Sequence, residues 1–310
     1  MDIGVIGTGV MGRNHVRIYS ELKEVSSLFI YDVDEKAAQE NAAQTGAVAC
    51  TSIEELLHKV DAVSVCVPTR YHQGVALQVL DAGVHALVEK PLCATACAAE
   101  ELVKAVPRGT VLGTGHIERF NPVVNEIRRI LGKPLYIELK RHNPTSSRIT
   151  DSTVIEDLMI HDIDILFHVL MRGDYQTDAA GTPEVVSALF RFGTTPAILS
   201  ASRKASKKVR SIYIEEEEFT IEGDFMAQEI YVYRKPENYR MEQERYVQEN
   251  IIEKVMVNKV EPLKVELRTF IECARAGRAF PVTPEQAVTN LRICEMIRAR
   301  CEEQQCHSVT

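Results

Sequence analysis

Three glycines, Gly7, Gly9 and Gly12, follow the apolar run Ile3-Gly4-Val5-Ile6 and precede a helical pattern that begins around Met11. Such a strand, turn and helix can cradle a dinucleotide. Gly7 permits the tight turn, and Gly9 lets backbone N–H groups, with those of Val10 and Met11, approach a pyrophosphate. Gly12 lets the helix pack closely on the strand, and the helix N-terminus adds its partial positive charge. Twenty residues beyond Gly12, a second apolar run ends in Asp32. Its carboxylate can accept hydrogen bonds from both ribose hydroxyls and would repel a 2′-phosphate, so this spacing predicts NAD rather than NADP.

Two further groups could carry chemistry. Lys90, in Glu89-Lys90-Pro91, follows an apolar run and should project from the C-terminal edge of a sheet, where the nicotinamide end of the cofactor is expected. Its ammonium could lower the pKa of a substrate hydroxyl while hydride leaves the same carbon, with Pro91 fixing the chain just after it. Asp157 and His161 lie four residues apart in an apolar helical stretch, on one face. The histidine could take the substrate proton while the carboxylate orients the imidazole or binds sugar hydroxyls. A helix N-terminus with acids matching its dipole and a core histidine fits the same residues, and spacing does not separate the two.

These residues need a scaffold. Over residues 1–118 short β-branched runs at 3–6, 28–31, 62–67, 86–89 and 111–115 alternate with helical patterns at 35–45, 53–57, 74–82 and 96–105. That alternation is the signature of βαβ units on a parallel sheet, a Rossmann dinucleotide-binding domain with its ligand at the strand C-termini. Residues 119–310 are expected to form a second, α+β domain, the candidate for substrate binding and oligomerisation. There a helix at 123–131 is followed by two-residue alternation at 135–141, 185–192, 197–203, 210–214, 218–222 and 228–234, which predicts an open, mostly antiparallel sheet. Helices at 263–276 and 284–302 close the chain, the latter with Thr283 as N-cap and Pro284 at its first position. The fold class is α/β, with a cleft expected between two domains.

A length of 310 residues is too long for one ordinary core. A net charge of −8 without a sustained basic stripe argues against nucleic acid or an anionic membrane as partner. With neither a charged leader nor eighteen consecutive apolar residues, a cytoplasmic protein is expected. The eight cysteines are scattered without paired-ligand spacing, so reduced thiols and no metal site are expected. The one dense basic cluster is Arg203, Lys204, Lys207, Lys208 and Arg210. It could dock a diphosphate, as could Arg119, Arg141 and Arg148, or it could be a strand turn whose lysines discourage edge pairing.

Together these motifs resemble the Gfo/Idh/MocA family of NAD(P)-dependent sugar and cyclitol oxidoreductases, over essentially the whole chain. The family's nucleotide turn is matched by Gly7, Gly9 and Gly12, its strand-end acid by Asp32, its EKP lysine by Lys90, and its DxxxH pair by Asp157 and His161. Pro68-Thr69-Arg70-Tyr71-His72 looks like the family's loop near the ribose and nicotinamide, so the resemblance places Pro68, Thr69, His72 and Glu89 with the cofactor contacts. Gly115-His116-Ile117-Glu118-Arg119-Phe120-Asn121-Pro122 followed by 157–164 looks like the branch that includes UDP-N-acetylglucosamine 3-dehydrogenases, which implies a nucleotide-sugar substrate near Arg119, Asn121, Arg148, Asp157 and His161. The sequence departs from that branch at 201–204, where relatives often carry a tryptophan. Other branches oxidise inositols, and some relatives are non-catalytic NAD-binding regulators, against which the joint presence of Lys90, Asp157 and His161 argues. Alternation in 227–233 puts Ile230 and Val232 on one face and Tyr231 and Tyr233 on the other. This predicts a second sheet face rich in aromatic and aliphatic groups, covered by a partner in a homodimer or a tetramer of dimers.

Overall fold

The computed structural model describes residues 1–144, 152–236, 239–242, 245–248 and 251–307. The chain divides into two compact units, Met1–Phe120 with Glu261–Arg292, and Asn121–Val260 with Ile293–Thr310.

In the first unit the chain runs β1 (Asp2–Ile6), α1 (Val10–Glu21), β2 (Ser27–Tyr31), α2 (Glu35–Thr45), β3 (Val48–Ala49), α3 (Ile53–Leu57), β4 (Ala62–Val65), α4 (His72–Asp81), β5 (His85–Glu89), α5 (Ala96–Lys104) and β6 (Leu112–Gly115). The strands form one parallel sheet in the order β3-β2-β1-β4-β5-β6. Strand alternation sends Ile3 and Val5 to one face and Ile6 to the other, and both faces are apolar and covered, as a parallel sheet requires. One face packs on side chains of α3, α4 and α5, including Leu56, Val79 and Leu102. The other packs on Val16 and Tyr19 of α1 and on Leu267, Phe270 and Ile271 from near the end of the chain.

That last contact revises the division expected at 118/119. The helix α8 (Pro262–Ala276) supplies the apolar cover that Ile3, Val5 and Leu87 need, so 261–292 belong with the nucleotide-binding unit. The strand order reverses between β1 and β4, and at such a switch point the flanking loops part and leave a crevice for a ligand.

The second unit begins with α6 (Pro122–Ile130) and β7 (Tyr136–His142). A helical run over 155–170 follows, with α7 (Ile160–Ile165) at its centre. Its flanking turns, Ile155–Met159 and Leu166–Leu170, are wound wider than an α-helix. Then come β8 (Gln176–Thr182), β9 (Val185–Phe192), β10 (Thr195–Ser202), β11 (Val209–Glu215), β12 (Phe219–Asp224), β13 (Glu229–Arg234), the hairpin β14 (Tyr239–Glu242) and β15 (Arg245–Gln248), and β16 (Ile252–Val255). Eight of these strands form a sheet in the order β16-β13-β12-β11-β7-β10-β9-β8, in which β7 and β10 are parallel and the other pairs antiparallel. The last helix, α9 (Pro284–His307), starts at Thr283, whose hydroxyl accepts the Gln286 N–H at 3.4 Å.

One face of this sheet packs on the helices through Ile137, Leu139, Phe190, Leu199, Ile212, Ile230 and Val232. The other face is more polar than the alternation in β13 suggests. The register sets Tyr213 beside Glu138 and Glu222, and Tyr231 beside Glu222 and Lys254. The hydroxyls of Tyr213, Tyr231 and Tyr233 donate to Glu215, Glu229 and Glu222 at 2.9, 3.1 and 3.0 Å. The aromatic shafts therefore carry charged rims, which the sequence of one strand does not reveal.

Arg141 falls on the core face of β7 and is 1 % exposed. Its Nε and Nη2 donate to Asp162 Oδ1 at 3.1 and 2.7 Å, and Asp162 is equally buried. This pair ties the helix bearing His161 to the sheet, and it removes Arg141 from the candidates for binding an external anion. Asp162→Ala takes away the carboxylate that compensates the buried guanidinium and should cost about 3–5 kcal/mol. Urea denaturation measures this loss, and the joint replacement Arg141→Met with Asp162→Leu should recover most of it.

Candidate active site

The nucleotide turn has little room for any side chain. Gly7 has φ +91°, and a Cβ there would lie 2.8 Å from the Cys66 backbone. A Cβ on Gly12 would lie 1.8 Å from the Gly7 carbonyl oxygen, so α1 meets the end of β1 only because this residue is glycine. The resulting crevice has a volume of about 780 Å³. Gly7, Gly9, Met11, Asp32, Val33, Glu89 and Lys90 are among the residues that line it. Pro68, Thr69 and His72 line it as well. Val10, the first residue of α1, is 55 % exposed.

Lys90 is half-buried and follows β5 through the pair His15–Glu89. Glu89 is buried, with Oε1 2.9 Å from His15 Nε2, and its Oε2 accepts the Lys90 backbone N–H at 3.2 Å. Burial alone would raise the Glu89 pKa. The His15 hydrogen bond and the charges of His15 and Lys90 outweigh it and hold the carboxyl below its ordinary value. Glu89 thus anchors the backbone of the lysine turn. His72 is similar: it is 1 % exposed, its Nδ1 lies 2.8 Å from the Pro91 carbonyl and its Nε2 2.8 Å from the Val67 carbonyl. Burial pushes the His72 pKa down, and those carbonyls only partly oppose it. The imidazole lies between the loop after β4 and the turn after β5; the neutral ring donates to one of these two carbonyls, and only the protonated ring donates to both.

In the second unit Asp157 lies in the widened turn before α7, with His161 in α7. Both are half-buried. An Arg203 nitrogen lies 3.9 Å from an Asp157 oxygen. Arg203 is only 5 % exposed and also donates to Glu184 Oε1 at 3.0 Å and to the Ser152 carbonyl at 2.8 Å. Its guanidinium is therefore a clamp on the start of the helical run, and the expected basic cluster loses its first member; Lys204, Lys207 and Lys208 remain exposed. Asn121 is 3 % exposed, with its amide donating to the Phe225 carbonyl at 3.0 Å and its Oδ1 capping α6 through Val123 N–H at 3.1 Å. Its side chain thus caps α6 and holds the Phe225 backbone. Arg119 is half-buried and donates to Gln286 at 3.4 Å. Arg148 lies outside the described residues.

Comparison with known proteins bears on this arrangement. Residues 1–116 match the family model GFO_IDH_MocA, described as an oxidoreductase family with an NAD-binding Rossmann fold. Over 246 residues the chain is 34% identical to the UDP-N-acetylglucosamine 3-dehydrogenase of Acidithiobacillus ferrooxidans, spanning 76% of this chain and 77% of that protein. The chain belongs to the Gfo/Idh/MocA family. A solved structure of that dehydrogenase superposes with a TM-score of 0.88 at 29% identity, over 98% of both chains. An inositol 2-dehydrogenase of Corynebacterium glutamicum is 32% identical over 183 residues, covering 54% of this chain and 53% of the relative. A levoglucosan dehydrogenase solved with NADH and levoglucosan shares the fold, with a TM-score of 0.81 at 16% identity.

As a Gfo/Idh/MocA oxidoreductase the protein uses NAD, and the crevice fits it: Gly7 and Gly12 leave no room for side chains at the start of α1, whose N–H groups would suit a pyrophosphate, and the lining carboxylate of Asp32 would suit a ribose diol. Sequence spacing missed several walls of the crevice, among them Ile53, Cys66, Arg70, Tyr71 and Val75. Only Tyr71, a half-exposed aromatic beside an expected cofactor loop, carried a signal that could have found it. Replacing Asp32 by Ala should weaken NAD binding and narrow the preference over NADP by about 1–3 kcal/mol, the scale of one charged hydrogen-bonding partner and one like-charge repulsion. Dissociation constants for both cofactors measure it.

Proposed function

We propose that the protein is a nucleotide-sugar dehydrogenase that oxidises the 3-hydroxyl of UDP-N-acetylglucosamine to the 3-keto sugar. The observation that carries this reading is the 34% identity to an enzyme of that activity, sustained over 77% of its length, together with a lysine lining the NAD crevice. NAD, when bound, supplies the hydride acceptor. Lys90 donates a hydrogen bond to the reacting hydroxyl and favours its alkoxide character as hydride leaves the carbon. His161 takes the hydroxyl proton, and Asp157, held by Arg203, orients the imidazole or a sugar hydroxyl. Arg119 is the remaining described candidate for contact with the anionic part of the substrate.

Turnover of UDP-N-acetylglucosamine followed by NADH absorbance tests the substrate. Activity on free inositols with none on nucleotide sugars would assign the chain to the inositol dehydrogenases, which also resemble it. Lys90→Met should leave NAD affinity nearly unchanged and lower turnover roughly a hundredfold or more. His161→Asn should act similarly and change the pH profile. Wild-type rates in both variants would remove these roles.

For the assembly, the reading is a homodimer, or a tetramer of dimers, formed through the open face of the eight-stranded sheet. Tyr136, Tyr213, Tyr231 and Tyr233 are half-buried there and interleaved with acids and lysines, a composition suited to an isologous contact in which each tyrosine shaft meets a charged rim. Light scattering at micromolar concentration should give a mass at least twice that of the chain, and a monomeric mass would refute it.

A further inference from the structure

The acceptor at the ribose end of the crevice does not stand alone. Asp32 Oδ2 accepts the backbone N–H of Thr8 at 2.5 Å and the Thr8 hydroxyl at 2.9 Å. Its Oδ1 accepts the backbone N–H of Asp34 at 2.9 Å. Asp34 is itself the N-cap of α2, with Oδ1 receiving Lys36 and Ala37 N–H at 3.1 and 3.2 Å. Three donors thus converge on one half-buried carboxylate, two of them from the residue between Gly7 and Gly9. Backbone N–H groups survive any substitution except proline, so the Thr8 hydroxyl is the donor that depends on residue type.

We infer that Thr8 is a specificity-determining positioning residue: its hydroxyl fixes the Asp32 carboxylate against the pyrophosphate turn and thereby sets the preference for NAD over NADP. The inference rests on NAD occupying this crevice. With Oδ2 held by both Thr8 donors and one direction of Oδ1 by the Asp34 N–H, the carboxylate plane is fixed, so a ribose diol meets the second direction of Oδ1 as a ready acceptor and spends no free energy on orienting it. The same fixation keeps the negative charge where a 2′-phosphate would lie. Without the hydroxyl the carboxylate gains rotational freedom. It accepts the diol less well and can turn from a phosphate, and both effects move the preference in one direction. A purely structural role for Thr8, holding the glycine turn for the pyrophosphate shared by the two cofactors, would weaken both equally.

The test uses Thr8→Val, which keeps the branched shape and the backbone N–H but removes the hydroxyl, and Thr8→Ser, which keeps the hydroxyl. The chain has no tryptophan, so NADH and NADPH binding can be followed by the cofactors' own fluorescence in the intact protein. For Thr8→Val the ratio of NADPH to NADH dissociation constants should fall about tenfold, the size of one hydrogen bond to an ionised group, while Thr8→Ser keeps the wild-type ratio. An unchanged ratio in Thr8→Val, including equal weakening of both cofactors, would overturn the inference. Failure of the wild-type protein to bind either cofactor would instead remove the NAD reading itself. If Thr8→Val fails to fold, Thr8→Ala, judged by the same ratio and by its circular dichroism, decides in its place.

Discussion

The approach of α1 to the carbonyl at the end of β1 is the constraint on which the nucleotide-binding unit depends. At Gly12 the two backbones come so close that even a methyl group would overlap the Gly7 oxygen. This closeness does three things. It aims the helix N-terminus, with its unpaired N–H groups, into the crevice. It brings Thr8 within reach of the end of β2, so that the glycine turn and the Asp32 carboxylate become one hydrogen-bonded piece. It also sets α1 flat on the sheet, where Val16 and Tyr19 join the core shared with α8. The Tyr19 hydroxyl, at the bottom of that core, is satisfied by Ser64 at 2.8 Å.

Buried charge does for the second unit what backbone contact does for the first. Arg141–Asp162 and Arg203–Glu184 are placed where the sequence pattern calls for apolar or exposed side chains. Such pairs seldom add net stability over apolar replacements, because desolvation consumes much of the Coulomb gain. Their geometry is specific, however. Arg141–Asp162 links β7 to the helical run that bears Asp157 and His161, while Arg203, just after β10, joins Glu184 in the β8–β9 turn to the Ser152 carbonyl and Asp157 at the start of that run; the Arg141 guanidinium also lies over the Phe225 ring, 5.8 Å from its centroid. The widened turns on both sides of α7 give this run an irregular ladder, and the side-chain clamps hold it in register where the backbone alone would not.

The open face of the large sheet follows from register. Each strand there alternates in the ordinary way, but pairing sets tyrosine against glutamate and lysine across strands, so hydroxyls and carboxylates cap an aromatic layer. A face of this kind combines aromatic area with charged groups at its edge.

Local pattern was enough to read the strand, turn and helix at 3–21, the acid at the end of β2, the lysine after β5 and the change to an antiparallel sheet, because each depends on a short-range rule: glycine where a Cβ would clash, a carboxylate at a fixed distance along a βαβ unit, two-residue alternation. Short or polar edge strands escaped it. β3 has two residues, β8 reads Gln-Thr-Asp-Ala-Ala-Gly-Thr with Ala179 alone deeply buried, and β16 is largely exposed, so their membership comes from a neighbour's free edge and not from their own residues. The return of α8 to the first unit was equally hidden, since an amphipathic helix shows that it covers something but not what. Partner choice was decided only in three dimensions. Composition makes Arg141, Arg203, His72 and Asn121 equally able to meet a ligand or a neighbour; burial beside Asp162, Glu184, two backbone carbonyls and a helix end assigned them to the protein, because a desolvated polar group takes whichever partner the packing brings within hydrogen-bond distance.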